Sequence, residues 1–462
     1  ARGVAPVRDL LEGCMVPFTP RALLGIALGA WCVCVAIGLA AGAPLTSDEA
    51  SYGLLARGLD QGWIYRPIGL VAVAKLGVAL GSSDAALRLP CALASPLLLL
   101  AIDALGRRLG PWCGAGAAAV VAGTHTFALR APEMLSDLPS ATCLIAALVV
   151  IVDELEREGG PRYRLIAAAP LLAGAFYLRY GTAPVIALIG GAAIVAWPRA
   201  VRARPGPVIA TVLVLGALVA PFAIYSWQTT GSALGILEIA GEVSGRKFLG
   251  QGLRAYIFTN PFRRYGVLIT PAMFAGFAAI ALPPRDGRSI ARFLAMVAIG
   301  QVLILGIVAH ASTRYVFLAM AVLCMLGVEL VVRGSARIRT AAVIGAVLGC
   351  AVMVTTMLPL ERAIARGLTR LVASANAVRA DAAGRPCVLV VRAVPQAMWY
   401  AGCEAVKIAG PDEAVVLAPG WTYYAVDTPR RPVDAPAIAA RSQAKAIALA
   451  VPGAWRLVPR GP

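Results

Sequence analysis

Long apolar blocks are the feature of this sequence that most restricts its fold. The chain has 462 residues, of which 59% are hydrophobic and only 14% are charged. The apolar residues fall in blocks of about 16–22, close to the roughly 20 residues that a helix needs to cross the hydrocarbon core of a membrane. A transmembrane β-strand would instead alternate apolar and polar residues over about 10 positions. The pattern predicts an all-α polytopic membrane protein and excludes a soluble enzyme.

Eleven of the blocks are long enough to be predicted as transmembrane helices. The remaining apolar stretch, 67–80, is too short to span and contains Lys75, so it is predicted to lie at the membrane interface. The eleven blocks lie at about 21–43, 89–106, 112–130, 138–152, 165–180, 183–197, 207–227, 266–282, 291–309, 314–332 and 340–358.

The distribution of arginine supports this count. If the N-terminus is cytoplasmic, the N-terminal segment and the short inside loops hold 17 of the 42 basic residues, as the positive-inside rule requires. Counting 67–80 as a further span would place Arg107 and Arg108 outside. The same topology places two long loops, 42–88 and 228–265, on the outer side.

The outer loops contain more basic residues than this topology explains. Together with three single arginines in the short outer turns, 12 basic residues lie outside the membrane, against 8 acidic ones. An anionic ligand at the outer face would account for their retention, because arginine and lysine bind anions by charge and by hydrogen bonds. Scattered solubilising charge is the alternative.

The region after Pro359 has a different pattern, in which Pro and Gly separate short apolar runs. It predicts a small α/β extracytoplasmic domain at 359–462, after a transmembrane domain at 1–358. Cys387 and Cys403 are the only cysteines in it. In an oxidising compartment they could form a disulfide; two free thiols are the alternative. Strands are predicted at 387–391, 406–409, 414–419 and 455–459, and a short helix at 395–402.

Two groups of carboxylates near the outer face are candidates for chemistry. Asp48 and Glu49 follow the first helix, where they either begin a solvated helix or supply a base for a hydroxyl group. Asp137 begins the fourth predicted span, where a carboxylate is costly unless it has a function. With Pro139 in the first turn, Asp137 could instead cap that helix.

A third group, His310 and Arg314-Tyr315, lies between two spans on the same face. His125 is the other histidine of the chain and lies within the third predicted span. Two histidines without matching cysteine spacing argue against a dedicated zinc site.

The first outer loop resembles the membrane glycosyltransferases of the GT-C class, and most closely the protein O-mannosyltransferase and lipid A aminoarabinose transferase superfamily. The resemblance extends over roughly residues 20–335, with looser matches at 130–139 and at His310, Arg314 and Tyr315. One departure is Arg66-Pro67-Ile68, where the family often has Lys-Pro-Pro. The first-loop matches are Asp48, Glu49, Tyr52, Ala56-Arg57, Arg66-Pro67, Gly81-Ser82 and Ala86-Leu87-Arg88-Leu89-Pro90.

The resemblance implies a hexosyl- or pentosyltransferase. Such an enzyme moves a sugar, with inversion, from a polyprenyl phosphate carrier to a hydroxyl of an envelope lipid, glycan or protein. Its expected location is the outer face of a bacterial cytoplasmic membrane, among membrane lipids. Asp48 would be the base, while Glu49 and Asp137 would orient acceptor or sugar, or Asp48 and Asp137 would bind a divalent metal. The candidates for binding the lipid phosphate are Arg57, Arg66, Lys75, Arg88, His310, Arg314 and Tyr315.

A transporter or flippase of a lipid-linked anion is the alternative, and an inactive homologue is a further one. Transporters usually hold ionisable groups near the bilayer midplane. Here the in-helix carboxylates, Asp103 and Glu329, lie near the predicted cytoplasmic ends of their helices. Nucleic acid is not an expected partner, because the basic residues sort by membrane side rather than into one binding face.

Overall fold

The computed structural model is dominated by α-helices. A backbone surrounded by lipid must satisfy its own hydrogen bonds, and an apolar segment does so as a helix. The structure describes residues 19–59, 63–157, 163–243, 248–258, 266–281, 289–308, 312–392, 394–428 and 432–460.

Eighteen α-helices precede the terminal sheet in the described part of the chain. Two of them, α11 and α7, are one or two turns long, and short 3-10 helices lie at Tyr163–Ala167, Tyr180–Thr182 and Thr313–Val316. In chain order the helices are α1 Pro20–Ala40, α2 Ser47–Ala56, α3 Ile68–Leu80, α4 Asp84–Ala94, α5 Pro96–Gly106, α6 Cys113–Ala122, α7 His125–Ala128, α8 Asp137–Glu156, α9 Ala168–Leu178, α10 Ala183–Ala196, α11 Pro198–Ala203, α12 Pro205–Thr230, α13 Gly235–Val243, α14 Gln251–Phe258, α15 Gly266–Ala281, α16 Ser289–Val308, α17 Phe317–Val332 and α18 Ala336–Ala382.

Several helical stretches are long and apolar enough to cross a membrane, so the chain is a multi-pass membrane protein. All eleven predicted blocks contain helix, and in four of them the helical stretch has fewer than 18 residues: Cys113–Ala122, Tyr163–Leu178, Tyr180–Ala196 and Gly266–Ala281. The number of spans, eleven, stays a prediction. Within the described residues the seven long stretches are Pro20–Ala40, Asp84–Gly106, Asp137–Glu156, Pro205–Thr230, Ser289–Val308, Thr313–Val332 and Ala336–Ala382.

The centre of the helical part is formed by α6 and α17. Every residue of α6 is buried, as is every residue from 317 to 327 in α17. Small residues allow this close packing, since a Cβ atom added at Gly106 would lie 2.4 Å from the Cα of Gly114 in the next helix. At the periphery, α12 is largely exposed, with only Pro207, Phe222 and Ser226 buried. Its apolar surface therefore fits a lipid environment.

The terminal domain contains a five-stranded mixed sheet with the order β2-β1-β3-β5-β4. Strands β1, β2 and β3 are parallel, while β5 is antiparallel to β3 and β4. Two helices, α19 and α20, complete it. The bounds are β1 Cys387–Val391, α19 Val394–Ala401, β2 Glu404–Lys407, β3 Thr422–Val426, α20 Ala435–Arg441, β4 Ala444–Ala448 and β5 Ala454–Pro459.

Two details of this sheet differ from the sequence prediction. The segment 414–419 forms no strand: Val415 and Leu417 pack against a hydrophobic cluster of the terminal domain, while Val416 between them is 90% exposed. Strands β3 and β4 were not predicted. Alanine-rich β4 has weak intrinsic β-propensity, and its pairing with β5 makes it a strand.

One long helix joins the two parts of the molecule. Helix α18 has 47 residues, about 70 Å at 1.5 Å per residue, and passes through the predicted boundary at 358/359. Its later residues Leu371, Ala375 and Val378 pack in one hydrophobic cluster with β1, α19, α2 and α3. The terminal domain is therefore packed directly against residues of the segment 42–88, which was predicted as the first outer loop.

Candidate active site

Asp48 lies in the first turn of α2, at an end of the helix that favours negative charge. Thr46 precedes the helix and accepts a hydrogen bond from the Glu49 backbone N–H, while the Glu49 carboxylate accepts one from the Thr46 N–H. This reciprocal capping fixes the first turn. The partial positive charge of the helix N-terminus also stabilises the Asp48 carboxylate.

Two arginines bind the Asp48 carboxylate, one at each oxygen. Arg66 Nη1 lies 2.9 Å from Oδ1, and Arg314 Nη2 lies 2.8 Å from Oδ2. Burial by itself raises the pKa of Asp48, but the two guanidinium groups lower it more, to about 2. Asp48 is therefore ionised throughout the physiological pH range, and 30% of its side chain stays exposed.

Arg314 contacts a second carboxylate besides that of Asp48, namely Asp137. Its Nε lies 3.7 Å from Asp137 Oδ2, and Asp137 also forms an ion pair with Arg179. The Arg179 guanidinium lies 4.2 Å from the ring centroid of Tyr315. The result is a connected row in the order Arg66, Asp48, Arg314, Asp137 and Arg179. With three arginines and two aspartates, this row carries one excess positive charge.

The row is assembled from distant parts of the chain. Asp48 and Arg66 belong to the first outer loop, Asp137 begins α8, Arg179 ends α9 and Arg314 precedes α17. Asp48 and Arg314 are 266 residues apart. Apolar helix packing thus brings together charges that sequence distance separates.

A polar cavity of about 360 Å³ opens beside Asp48 and Arg314. This is within the range of small-molecule sites, which are typically about 300–1,000 Å³. Its walls present hydroxyl and guanidinium groups. They belong to Thr46, Ser47, Asp48, Arg130, Ser312, Thr313 and Arg314.

Arg66 carries a polar atom without a partner. Its Nη groups contact Asp48 and Ser51, but its Nε is buried and has no hydrogen-bond partner among the described residues. A buried donor left without an acceptor costs about 1–3 kcal/mol. The Nε of Arg66 is therefore a buried donor next to Asp48 without an acceptor in the described part of the chain.

Glu49 and Arg88 lie apart from this row and pair with each other. Arg88 Nε lies 2.7 Å from Glu49 Oε1 and Arg88 Nη2 lies 2.9 Å from Oε2, and both side chains are buried. Glu49 also accepts from the Met134 N–H, and Arg88 donates to the backbone oxygens of Ala43 and Pro44. Burial raises the pKa of Glu49, but Arg88 lowers it below its ordinary value. Their geometry fits a structural ion pair rather than the predicted contacts with substrate.

The remaining predicted phosphate-binding residues are in different places. Arg57 is exposed and stacks on the ring of Trp399 at 3.6 Å, and Lys75 is exposed on α3. Tyr315 lies against Arg179 and Arg314 at the row. His310 lies outside the described residues.

Sequence reasoning missed Arg179, Arg130 and Glu133. Arg130 lines the cavity and binds Glu133 at 2.7 Å. Burial raises the pKa of Glu133 to about 7, although Arg130 opposes this. In the sequence, Arg130, Arg179 and Arg314 are the three single arginines of the short turns that were predicted to lie outside the membrane. That shared property was the available signal.

The arrangement does not fit a metal site between Asp48 and Asp137, because the Arg314 guanidinium lies between the two carboxylates. In the described part of the chain, no group of three or more His, Cys, Asp or Glu side chains is placed to hold a metal ion. The arginines provide the positive charge at this location.

Known proteins share this architecture. A model of the dolichyl-phosphate-mannose-protein mannosyltransferase family matches residues 65–225 of this chain. ArnT from Cupriavidus metallidurans in the apo state matches with a TM-score of 0.62 and 14% identity, covering 94% of this chain and 96% of that chain. ArnT bound to undecaprenyl phosphate matches with the same TM-score, 13% identity and 98% coverage of both chains.

A structure of the Archaeoglobus fulgidus oligosaccharyltransferase matches more weakly, with a TM-score of 0.47 and 12% identity over 83% of this chain and 64% of that chain. No curated protein matches the sequence.

The fold is that of the membrane glycosyltransferases of the GT-C class. The family model that matches residues 65–225 and the likeness of the fold to ArnT both agree with the resemblance found in the sequence. The matched family segment includes Arg66, Asp137 and Arg179. Asp48 and Arg314 lie outside it.

Proposed function

We propose that this protein transfers a sugar from a polyprenyl phosphate carrier to an acceptor hydroxyl, at the outer face of the membrane and with inversion. The observation that carries the proposal is the ionised Asp48 at the edge of a polar cavity, held between Arg66 and Arg314. The ArnT neighbour whose structure contains undecaprenyl phosphate supports the choice of donor class. The sugar, a hexose or a pentose, and the acceptor are left open.

Each group in the row has a part in this chemistry. Asp48 takes the proton of the acceptor hydroxyl, whose oxygen forms the new bond to the anomeric carbon. The bond from that carbon to the phosphate oxygen breaks, and its electron pair leaves with the polyprenyl phosphate. Arg66 and Arg314 stabilise the departing phosphate, which arginine binds with paired N–H groups. Asp137, which is itself paired with Arg179, holds Arg314 from its other side.

Binding of the donor would make Asp48 a stronger base. In the free protein two guanidinium groups hold the pKa of Asp48 at about 2, where a carboxylate is a weak base. A lipid phosphate that binds Arg66 or Arg314 competes with Asp48 for positive charge. Weakening either ion pair raises the pKa of Asp48, because the opposite charge that favours its ionised form is partly removed.

The test uses purified protein in proteoliposomes and a panel of polyprenyl phosphates linked to hexoses or pentoses. The measured product is free polyprenyl phosphate. A membrane extract supplies the acceptor, so the acceptor does not have to be known. Asp48→Asn should lower turnover roughly 10²- to 10⁴-fold, the usual contribution of a general base. Binding of undecaprenyl phosphate should persist. Asp153→Asn, which breaks an ion pair with Arg108 at the other end of α8, is the matched control.

Full turnover in Asp48→Asn would overturn the base assignment. A deletion strain provides the second observation. Loss of one sugar from the envelope glycans supports transfer, whereas unchanged glycans with accumulated lipid-linked carrier would identify a transporter instead.

A further inference from the structure

Helix α19 of the terminal domain packs directly against the helix that carries Asp48. The ring of Trp399 lies so close to the backbone of α2 that a Cβ atom added at Gly53 would come within 2.5 Å of it. Gly53 is five residues after Asp48, about 7.5 Å along the helix. A glycine is needed here because any side chain would push the two helices apart.

Hydrogen bonds from α19 hold the chain just before α2. The Tyr400 hydroxyl accepts from the Leu45 N–H at 2.7 Å, and Gln396 Nε2 donates to the Leu45 carbonyl at 2.9 Å. Both polar backbone groups of Leu45 are thus held by the terminal domain. Leu45 precedes the capping residue Thr46, so its position sets where the first turn of α2 begins.

The same helix holds the neighbouring helix α4 through one carboxylate. Asp84, the first residue of α4, accepts from Trp399 Nε1 at 2.9 Å and from the Tyr400 hydroxyl at 2.6 Å. At the opposite end of α2, Arg57 stacks on the Trp399 ring. Helix α2 is therefore held before its first residue and after its last one by adjacent side chains of α19.

Helix α19 is itself held in place by a disulfide and by the burial of its side chains. Cys387 at the start of β1 and Cys403 just after α19 form a disulfide. Ala397, Met398 and Trp399 are buried in the hydrophobic cluster that also contains residues of α2, α3 and α18. Movement of α19 relative to α2 would open this cluster, so α19 is a rigid support.

We infer that Trp399 and Tyr400 are positioning residues for Asp48, acting through Leu45, Asp84 and helix α2. This inference rests on the proposed function, because it assigns the terminal domain a part in placing the base. Asp48 meets two guanidinium groups at once, which requires its carboxylate to be placed precisely. A misplacement of about 1 Å in a catalytic group can cost 10²-fold in rate.

The first test removes one hydroxyl. Tyr400→Phe keeps the ring and breaks the links to both Leu45 and Asp84. It should lower turnover at saturating donor roughly 10- to 100-fold, with the donor KM unchanged, since the arginines are retained. Tyr423→Phe is the matched control: it removes another hydroxyl of the terminal domain, one that accepts from the Ala418 N–H away from α2. Its turnover should equal that of the native protein.

Hydrogen exchange supplies a readout that does not depend on catalysis. Amides of residues 45–57 should exchange faster in Tyr400→Phe than in the native protein. In Tyr423→Phe their exchange rates should equal those of the native protein. Asp84→Asn, which removes the shared carboxylate, should reproduce the effect of Tyr400→Phe in both measurements. Normal turnover in Tyr400→Phe, or equal losses in Tyr400→Phe and Tyr423→Phe, would overturn the inference. If the native protein shows no transfer at all, the proposed function fails while the exchange data still report whether α19 holds α2.

Discussion

At the scale of single residues, the arrangement of the charges in the row matters more than how many there are. Asp48 and Asp137 each contact Arg314, and Arg66 and Arg179 bind the two carboxylates from the outside. Every carboxylate is thus bound by two guanidinium groups, whereas the Arg66 Nε is left without an acceptor among the described residues. The row therefore combines one excess positive charge with one buried donor that has no acceptor within the described ranges.

The pH dependence of transfer should report the ion pair between Arg66 and Asp48. Arg66 lowers the pKa of Asp48, so Arg66→Gln should raise it above its value of about 2 in the native protein. Asp48 must be ionised to accept a proton, so the acid limb of the kcat/KM profile should move to higher pH, by roughly 1–3 pH units. The measurement is kcat/KM for the donor between about pH 2 and pH 8, because kcat/KM reports the pKa values of the free protein.

The control for this experiment is Arg107→Gln, which breaks a partly exposed ion pair with Asp103 elsewhere in the protein. Its acid limb should coincide with that of the native protein. An acid limb that stays in place in Arg66→Gln would show that Asp48 does not titrate as the base.

At the scale of elements, the first turn of α2 is the part of the fold on which the site depends. Its sequence contains the required signals: Thr46 as the capping residue and Glu49 three positions later. Glu49 has a double task, since it closes the capping box and also pairs with Arg88 inside the protein. Successive residues of a helix point in different directions, so the adjacent carboxylates of Asp48 and Glu49 face different environments.

The cap can be tested through Thr46→Ala, which removes the side-chain oxygen that accepts from the Glu49 N–H. We expect a loss of about 1 kcal/mol in the free energy of unfolding, together with lower turnover per folded molecule because the first turn frays. Thermal unfolding in detergent and turnover are measured on the same sample. Thr46→Ser, which keeps the hydroxyl, should restore both.

Ser335→Ala is the matched variant for the cap, since Ser335 caps α18 in the same way by accepting from the Ile338 N–H. It should lose similar stability and keep its turnover. Equal turnover in the two alanine variants would mean that the cap of α2 supports the fold alone.

At the scale of the whole molecule, the apolar surface is explained by lipid. Helix α12 exposes large side chains such as Leu213, which is 67% exposed, along a stretch of 26 residues. A contiguous apolar surface of this size is rare on a monomeric soluble protein. The terminal domain, by contrast, is held against the outer loop by the cluster around α2, α18 and α19.

The membrane position of α12 can be tested with Leu213→Arg. A charged residue near the centre of a membrane helix costs about 2.5–3.5 kcal/mol, so this variant should insert poorly or unfold at lower temperature in proteoliposomes. Val416→Arg is the control, because Val416 is more exposed still but lies in the terminal domain. Equal stability of the two variants would place α12 in water.

Local composition was enough to predict a polytopic membrane protein and much of its helical layout. Apolar blocks of membrane length leave the backbone few alternatives to a helix, so the predicted blocks and the observed helices agree. Asp48 became a candidate because of its place after the first helix, and the disulfide between Cys387 and Cys403 was expected because they are the two cysteines of the terminal region. These features depend on local composition.

Only the tertiary structure decided which charges meet. Arg88, Arg66 and Arg314 are equivalent in composition, yet Arg88 is paired with Glu49 inside the protein while the other two bind Asp48. Asp48 and Arg314 lie 266 residues apart, and nothing in the local sequence encodes their distance. The packing of small and apolar residues between helices sets it. Local patterns fix elements, because backbone hydrogen bonds are local; sites arise from long-range packing, which a single sequence does not display.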